Sequence, residues 1–224
     1  MGNENLYWKT FLLPYELAVG GFLIKLESLR KEFILKNAYN PIELISGRVK
    51  TVGSILEKAE RLGIDFNNIS NDIYDIAGIR ITCKYIQDVY QVLELLKTRK
   101  DIDIFLVKDY IKNPKESGYR SLHIITKYKV ETVEGQSPIN IEFQIRTHAM
   151  HLWASIEHSL QYKYFHQIPN EIKERLFQAS LITGKLDNEM SRIKNAMEEV
   201  IVEKVRNEEY ELEDYDLLLN SIRR

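Results

Sequence analysis

Apolar residues recur at helical spacing over residues 15–36, where Val19, Phe22, Leu26, Leu29 and Phe33 step by three and four. Gly20-Gly21 weakens this helix early, by roughly 1 kcal/mol per glycine relative to alanine, and Asn40-Pro41 breaks the pattern. The spacing predicts a second helix over 50–62, closed by Gly63, with Val52, Ile55, Leu56, Ala59 and Leu62 as its apolar stripe. The β-rich run 76–85 reads as a strand, 87–99 as an amphipathic helix and 102–109 as another strand. Residues 110–119, with Pro, Gly, Asn and Ser, read as a loop. Residues 120–130 and 139–146 alternate as strands joined through Glu134-Gly135-Gln136. A helix follows over 147–163, with Trp153, Ile156 and Leu160 expected in the core. Pro169 opens a last long helix, whose apolar residues from Ile172 through Leu186 to Val200 step by three and four. So long a run predicts packing against another element or another subunit. Strands mixed with helices, without regular alternation, predict an α+β fold with a mixed sheet and long terminal helices. The expected divisions are an N-terminal helical segment 1–40, a core 41–166, a C-terminal helix 167–206 and an acidic tail 207–224.

Composition narrows the class. One Cys in 224 residues excludes a disulfide framework and a Cys-rich zinc module. With 31 Lys+Arg against 33 Asp+Glu, the formal charge is −2, which argues against nucleic acid as a partner. At 44% apolar and 29% charged, the chain is not of the disordered class. No apolar run approaches the roughly 20 residues of a membrane span, and Leu6 stands where a myristoylation motif wants Ser or Thr. A soluble, cytoplasmic protein is the expectation.

Four segments carry candidate chemistry. On the second helix, Lys50, Ser54, Lys58 and Arg61 fall at spacings of four, four and three and stack into one column, with Arg48 just before. Such a column is ordinarily a solvated face; the alternative is a cradle for polyphosphate. Asp75 opens a strand on which Ile79 and Ile81 face one way and Arg80 the other. In 139–146 the apolar set Ile139, Ile141, Phe143 and Ile145 alternates with Asn140, Glu142, Gln144 and Arg146. That polar side is either a wet sheet face or the floor of a site in which Glu142 meets a substrate hydroxyl and, with Asp75, holds Mg²⁺. The loop brings Lys112, Lys115, Tyr119, Arg120 and His123 together, with Gly118 allowing close backbone approach and Tyr119 offering a ring to a purine. A basic loop with an aromatic also suits RNA. His148, His151 and His158 share one helix, so a zinc site is conceivable, although no H-E-x-x-H occurs. No Walker-type phosphate loop is present.

The ordered segments G-R-V-K-T-V-G-S-I-L-E-K, D-I-A-G-I-R-I, D-Y-I-K-N-P-K-E-S-G-Y-R-S-L-H and E-F-Q-I-R-T-H-A-M-H-L-W-A-S-I-E-H resemble the synthetase domain of Rel/SpoT-type alarmone enzymes, over about residues 10–200. Short length and a single domain make the chain similar to the small alarmone synthetases. The resemblance implies a nucleotidyltransferase-like fold and transfer of pyrophosphate from ATP to the 3′-hydroxyl of GDP or GTP. It implies that Arg48 and Arg80 sandwich the adenine, and that Lys50, Ser54, Lys58 and Arg61 hold the ATP phosphates. Asp75 would bind Mg²⁺, and Glu142 would ligate Mg²⁺, activate the hydroxyl, or do both. Tyr119 would stack on guanine, Lys115 and His123 would approach the acceptor's phosphates, and Gln144 would lie near its nucleoside. A homotetramer is implied as well. Larger members add a hydrolase half built on a His-Asp dipeptide, and no such dipeptide occurs here. In some small members pppGpp binds between subunits and activates. Here Leu23 and Glu27 stand where those carry Lys, only Arg30 remains, and Leu44 and His151 replace an aromatic and an amide. Weak or absent activation by pppGpp is the expectation.

Overall fold

The structure, a computed structural model, describes residues 2–164 and 168–207. The elements are α1 (Gly2–Leu35), β1 (Leu44–Val49), α2 (Val52–Leu62), a 3₁₀ turn (Phe66–Asn68) running into the short α3 (Ile69–Asp72), β2 (Ala77–Cys83), α4 (Ile86–Lys97), β3 (Ile102–Asp109), β4 (Leu122–Thr132), β5 (Gly135–Thr147), α5 (His148–Lys163) and α6 (Asn170–Asn207). The strands form one sheet in the order β1-β2-β5-β4-β3. Only β2 and β5 run parallel; the other pairs are antiparallel. The mixed α+β architecture therefore matches the sequence expectation. Of the acidic tail, residues 208–224 lie outside the described residues.

The central strand explains the layering. β5 has Ile139, Ile141, Phe143 and Ile145 on one side, all buried. Phe143 meets Phe22 of α1 edge-on, with ring centroids 5.2 Å apart. Burying each such side chain contributes about 1.5–3 kcal/mol, so α1 is held across this face by the apolar row that the alternation predicted. The opposite side of β5 carries Asn140, Glu142, Gln144 and Arg146. It is covered by α3 at one end, where Asn140 Nδ2 donates to the carbonyls of Ser70 and Asn71 at 3.3 and 3.4 Å.

Several boundaries differ from expectation. The first helix begins at Gly2 rather than near residue 15, with Pro14 inside it. Tyr7, Trp8, Phe11 and Tyr15 pack ring on ring, joined by Phe66 against Trp8 at 5.7 Å. This aromatic burial supports a stretch that an interior proline would otherwise interrupt. β1 was not predicted, because an exposed edge strand containing Gly47 shows no apolar alternation. It places Arg48 on the sheet rather than at the mouth of a helix. α2 starts at Val52 with Thr51 as its cap, and ends at Gly63 in the left-handed region, φ 64°. Of its expected stripe, Ile55 and Ala59 are buried while Leu56 and Leu62 are exposed. On α5, Trp153 is buried as expected but Ile156 is exposed.

The last helix reverses the usual arrangement. α6 docks on the body through Ser180, Gly184, Asp187, Ser191 and Lys194, spaced four, three, four and three. Asp187 accepts the Thr147 hydroxyl at 2.8 Å, tying α6 to the cap of α5. Lys194 sits 3.6 Å from the buried Asp88 and over the rings of Tyr39 and Tyr85. The apolar row Ile182, Leu186, Met190, Ile193, Met197 and Val200 faces outward and is exposed.

α1 packs directly over Gly47: a Cβ there would lie 2.5 Å from Val19 Cγ1 and 3.3 Å from Ile79 Cδ1. Overpacking of this kind costs about 1–3 kcal/mol. Gly47→Val is therefore expected to lower Tm by roughly 2–10 °C in a chain of this length, measured by circular-dichroism melting; an unchanged Tm would show that α1 yields freely.

Candidate active site

Glu142 sits at the centre of the polar sheet face, nine per cent exposed. Its partners form a closed ring of side chains. His123 Nδ1 lies 2.9 Å from Glu142 Oε1, and Gln144 Nε2 donates to Oε2 at 2.6 Å. An ionised carboxylate only accepts, so Nδ1 carries the histidine proton. The Tyr119 hydroxyl then donates to His123 Nε2 at 2.7 Å. Arg146 closes the ring, donating to the Tyr119 oxygen at 2.5 Å and to Gln144 Oε1 at 2.8 Å. Burial pushes the Glu142 carboxyl upward, but His123 and Gln144 outweigh it and hold the group below the ordinary glutamate range.

The register aligns the neighbours. Arg48, Gly78 and Glu142 lie in one row across β1, β2 and β5, and Ser46, Arg80, Gln144 and His123 in the next. The Arg48 side chain lies over Gly78, its Cγ at ordinary contact distance, 3.7 Å, from where a Cβ would stand. Arg80 is flanked by Arg48 and Arg146; burial first, then these like charges, lower its pKa. Its buried Nε has no hydrogen-bond partner. An unsatisfied donor among three guanidinium groups is the condition of a site that binds an anion.

These side chains line a cleft of about 580 Å³ with Lys115, Ser117, Tyr119 and His123 on one side and Ala154, Ser155, Glu157, His158 and Gln161 of α5 on the other. The Lys115 ammonium lies 4.8 and 5.0 Å from the rings of Tyr110 and Tyr119. Asp75, just before β2, is ion-paired with Lys58 at 2.8 Å and Lys50 at 3.1 Å. Burial raises its carboxyl, yet the two lysines prevail and lower it. The charge of Asp75 also acts on Glu142, opposing the effect of His123 and Gln144.

A family model described as a region found in RelA/SpoT proteins matches residues 47–167, which include every residue of this cleft. The chain belongs to the RelA/SpoT family. Among its relatives, the GTP pyrophosphokinase YjbM of Bacillus subtilis is 45% identical over 196 residues, covering 88% of this chain and 92% of that protein. The GTP pyrophosphokinase YwaC of the same organism is 39% identical over 193 residues, covering 85% and 92%. The B. subtilis small alarmone synthetase 1 solved with its product pppGpp superposes with a TM-score of 0.82 at 45% identity, over 85% of this chain and 97% of that one. The fold is thus the nucleotidyltransferase-like one that the resemblance implied.

Of the residues singled out from the sequence, Arg48, Arg80, Lys115, Tyr119, His123 and Gln144 line the RelA/SpoT cleft together. Glu142 lies beneath His123 and Gln144, and Lys50 and Lys58 meet at Asp75. Ser54 is exposed and bonds to the Thr51 hydroxyl at 3.0 Å, and Arg61 is exposed further along α2. Among the described residues no three His, Cys, Asp or Glu side chains are gathered to hold a metal, so the α5 histidines form no zinc site there. Sequence reading missed the site role of Arg146, although the alternation already put it on the Glu142 side of β5. It also missed Glu157, whose address depends on how α5 crosses the sheet.

The cleft's outer wall depends on Gly118, at φ 88°. A Cβ there would lie 2.0 Å from Ser180 Oγ on α6. Arg120 Nη1 fastens the same spot, donating to the Ser180 carbonyl at 2.7 Å. Gly118→Ala combines a clash with a backbone strain of about 1–3 kcal/mol. It is expected to raise amide exchange across residues 110–119 relative to wild type; an unaltered exchange pattern would mean that α6 does not hold the loop.

Proposed function

We propose that this chain makes ppGpp or pppGpp by transferring the pyrophosphate of ATP to the 3′-hydroxyl of GDP or GTP, with AMP as the other product. One observation carries the reading above all: the Glu142 carboxylate, held by His123 and Gln144, lies under a cleft lined by Arg48, Arg80 and Arg146, none of them in a salt bridge among the described residues. That is an arrangement for a reaction between polyanions in which one hydroxyl must lose a proton.

Arg48 and Arg80 take the adenine, and Lys50, Ser54, Lys58 and Arg61 the phosphates of the donor. Tyr119 stacks on the acceptor base, Lys115 and His123 meet its phosphates, and Gln144 lies by its ribose. Asp75 and Glu142 suit Mg²⁺, since this hard ion takes one or two carboxylates together with substrate phosphates, and the partners of each hold its carboxyl below the ordinary range. When bound, the ion neutralises charge on the phosphoryl oxygens. The 3′-oxygen bonds to the β-phosphorus, the bond from that phosphorus to the α–β bridging oxygen breaks, and AMP leaves with that oxygen. The hydroxyl proton passes to Glu142, which His123 and Gln144 hold in place. The remaining catalysis is positioning and charge stabilisation by the Lys and Arg side chains. Exclusion of water by loop 110–119 protects ATP from hydrolysis.

These 224 residues hold no His-Asp dipeptide, which supports synthesis without hydrolysis. The outward apolar row of α6 supports assembly into a homotetramer, because its spacing suits a helix–helix seam. The absence, among the described residues, of any helix long and apolar enough to cross a membrane accords with a cytoplasmic enzyme. Control by pppGpp through the first helix is weak: Arg30 Nη1 donates to both oxygens of Glu27, at 3.0 and 3.1 Å, which sets a negative charge beside the one arginine left of that motif.

Incubation with Mg-ATP and GDP, GTP or GMP, followed by separation of the products, tests the reaction. Glu142→Gln is expected to lower the rate by about 10²–10⁴-fold, with Tm unchanged; normal turnover would remove Glu142 from its role. Adding pppGpp to wild type is expected to leave the initial rate nearly unchanged, and a several-fold rise would overturn the regulatory reading.

A further inference from the structure

We propose that Glu157 is the residue by which the cleft selects guanine, its carboxylate accepting from the N1–H and exocyclic amino group of the acceptor base. This rests on the reading of the cleft as the acceptor site. Glu157 is the single carboxylate among the described residues that line it; the other lining charges belong to Arg48, Arg80, Lys115 and Arg146. A carboxylate repels phosphate, so within a polyanion site it belongs at the end of the ligand that carries no charge. Guanine presents two adjacent N–H donors there, and adenine does not.

The placement suits that edge. Trp153 approaches the Tyr119 ring at 6.5 Å, and Glu157 stands one helical turn further along α5 on the same face. A base stacked on Tyr119 would therefore turn its rim toward Glu157. Gln161, a further turn on, donates to Glu157 Oε1 and orients the group, while Oε2 has no hydrogen-bond partner among the described residues. Lys115 and Arg146 are near enough for their charges to act on it, which gives the competing explanation: Glu157 could serve only to offset cations. The two accounts differ in one respect. Charge balance is blind to the base, whereas edge recognition is not.

The test compares GDP, IDP, which lacks the exocyclic amine, and XDP, which has a carbonyl in its place, as acceptors for wild type and Glu157→Gln. Wild type is expected to favour GDP over IDP in kcat/KM by roughly ten- to a hundredfold, the effect of one charge-assisted hydrogen bond. In Glu157→Gln the GDP-to-IDP ratio should fall toward one and turnover of XDP should rise, while KM for ATP stays put. Equal slowing of GDP and IDP would assign Glu157 to charge balance and overturn the proposal. So would a wild-type enzyme indifferent to the amine, a result that needs no variant to fold. If wild type forms no 3′-pyrophosphorylated product from any acceptor, the functional reading itself fails, which these ratios distinguish from failure of base selection.

Discussion

The site depends on keeping one buried carboxylate charged. Glu142 occupies the middle strand of the sheet, where burial alone would favour its neutral form. The ring through His123, Tyr119, Arg146 and Gln144 reverses that, and each member is fixed by two neighbours rather than one. Because the ring spans β4, β5 and the end of loop 110–119, the hydrogen bonds that satisfy Glu142 also set the shape of the cleft wall. A buried carboxylate kept charged is costly to maintain, and the apolar row behind it on β5 supplies burial that offsets the cost.

Around that carboxylate the cations divide into two groups. Lys50 and Lys58 are paired with Asp75. Arg48, Arg80 and Arg146 stand together with no carboxylate bonded directly to them among the described residues, and Arg80 keeps a buried donor unsatisfied. Such crowding of like charge works against the folded state and favours whatever anion enters. The register puts Gly78 between Arg48 and Glu142 in one row of the sheet.

α6 divides its work between two faces. Small and polar residues, Ser180, Gly184 and Asp187, meet the loop, Arg120 and the cap of α5, which allows close approach at the cost of little apolar burial. The apolar row remains outside. A helix long enough to need a partner thus satisfies its polar face within the chain and leaves its hydrophobic face for another surface.

Local pattern alone determined the α+β class, the two-faced strand 139–146 and the loop 110–119, because period and turn chemistry are written into adjacent residues; the basic column did not survive as one helical face, since Lys50 precedes α2 and meets Lys58 only at Asp75. The chemistry of Asp75, Glu142, Tyr119 and His123 was legible as residue types at suggestive spacing. Tertiary structure decided the rest. β1 is an edge strand with no alternation of its own, and only pairing with β2 brings Arg48 into the row of Glu142. Gly2 to Pro14 is helical because four aromatic rings find each other and Phe66. Glu157 joined the site, and Leu56, Leu62 and Ile156 left the core, through the angles at which helices cross the sheet. Those angles come from packing between residues distant in sequence, a term that no local window contains.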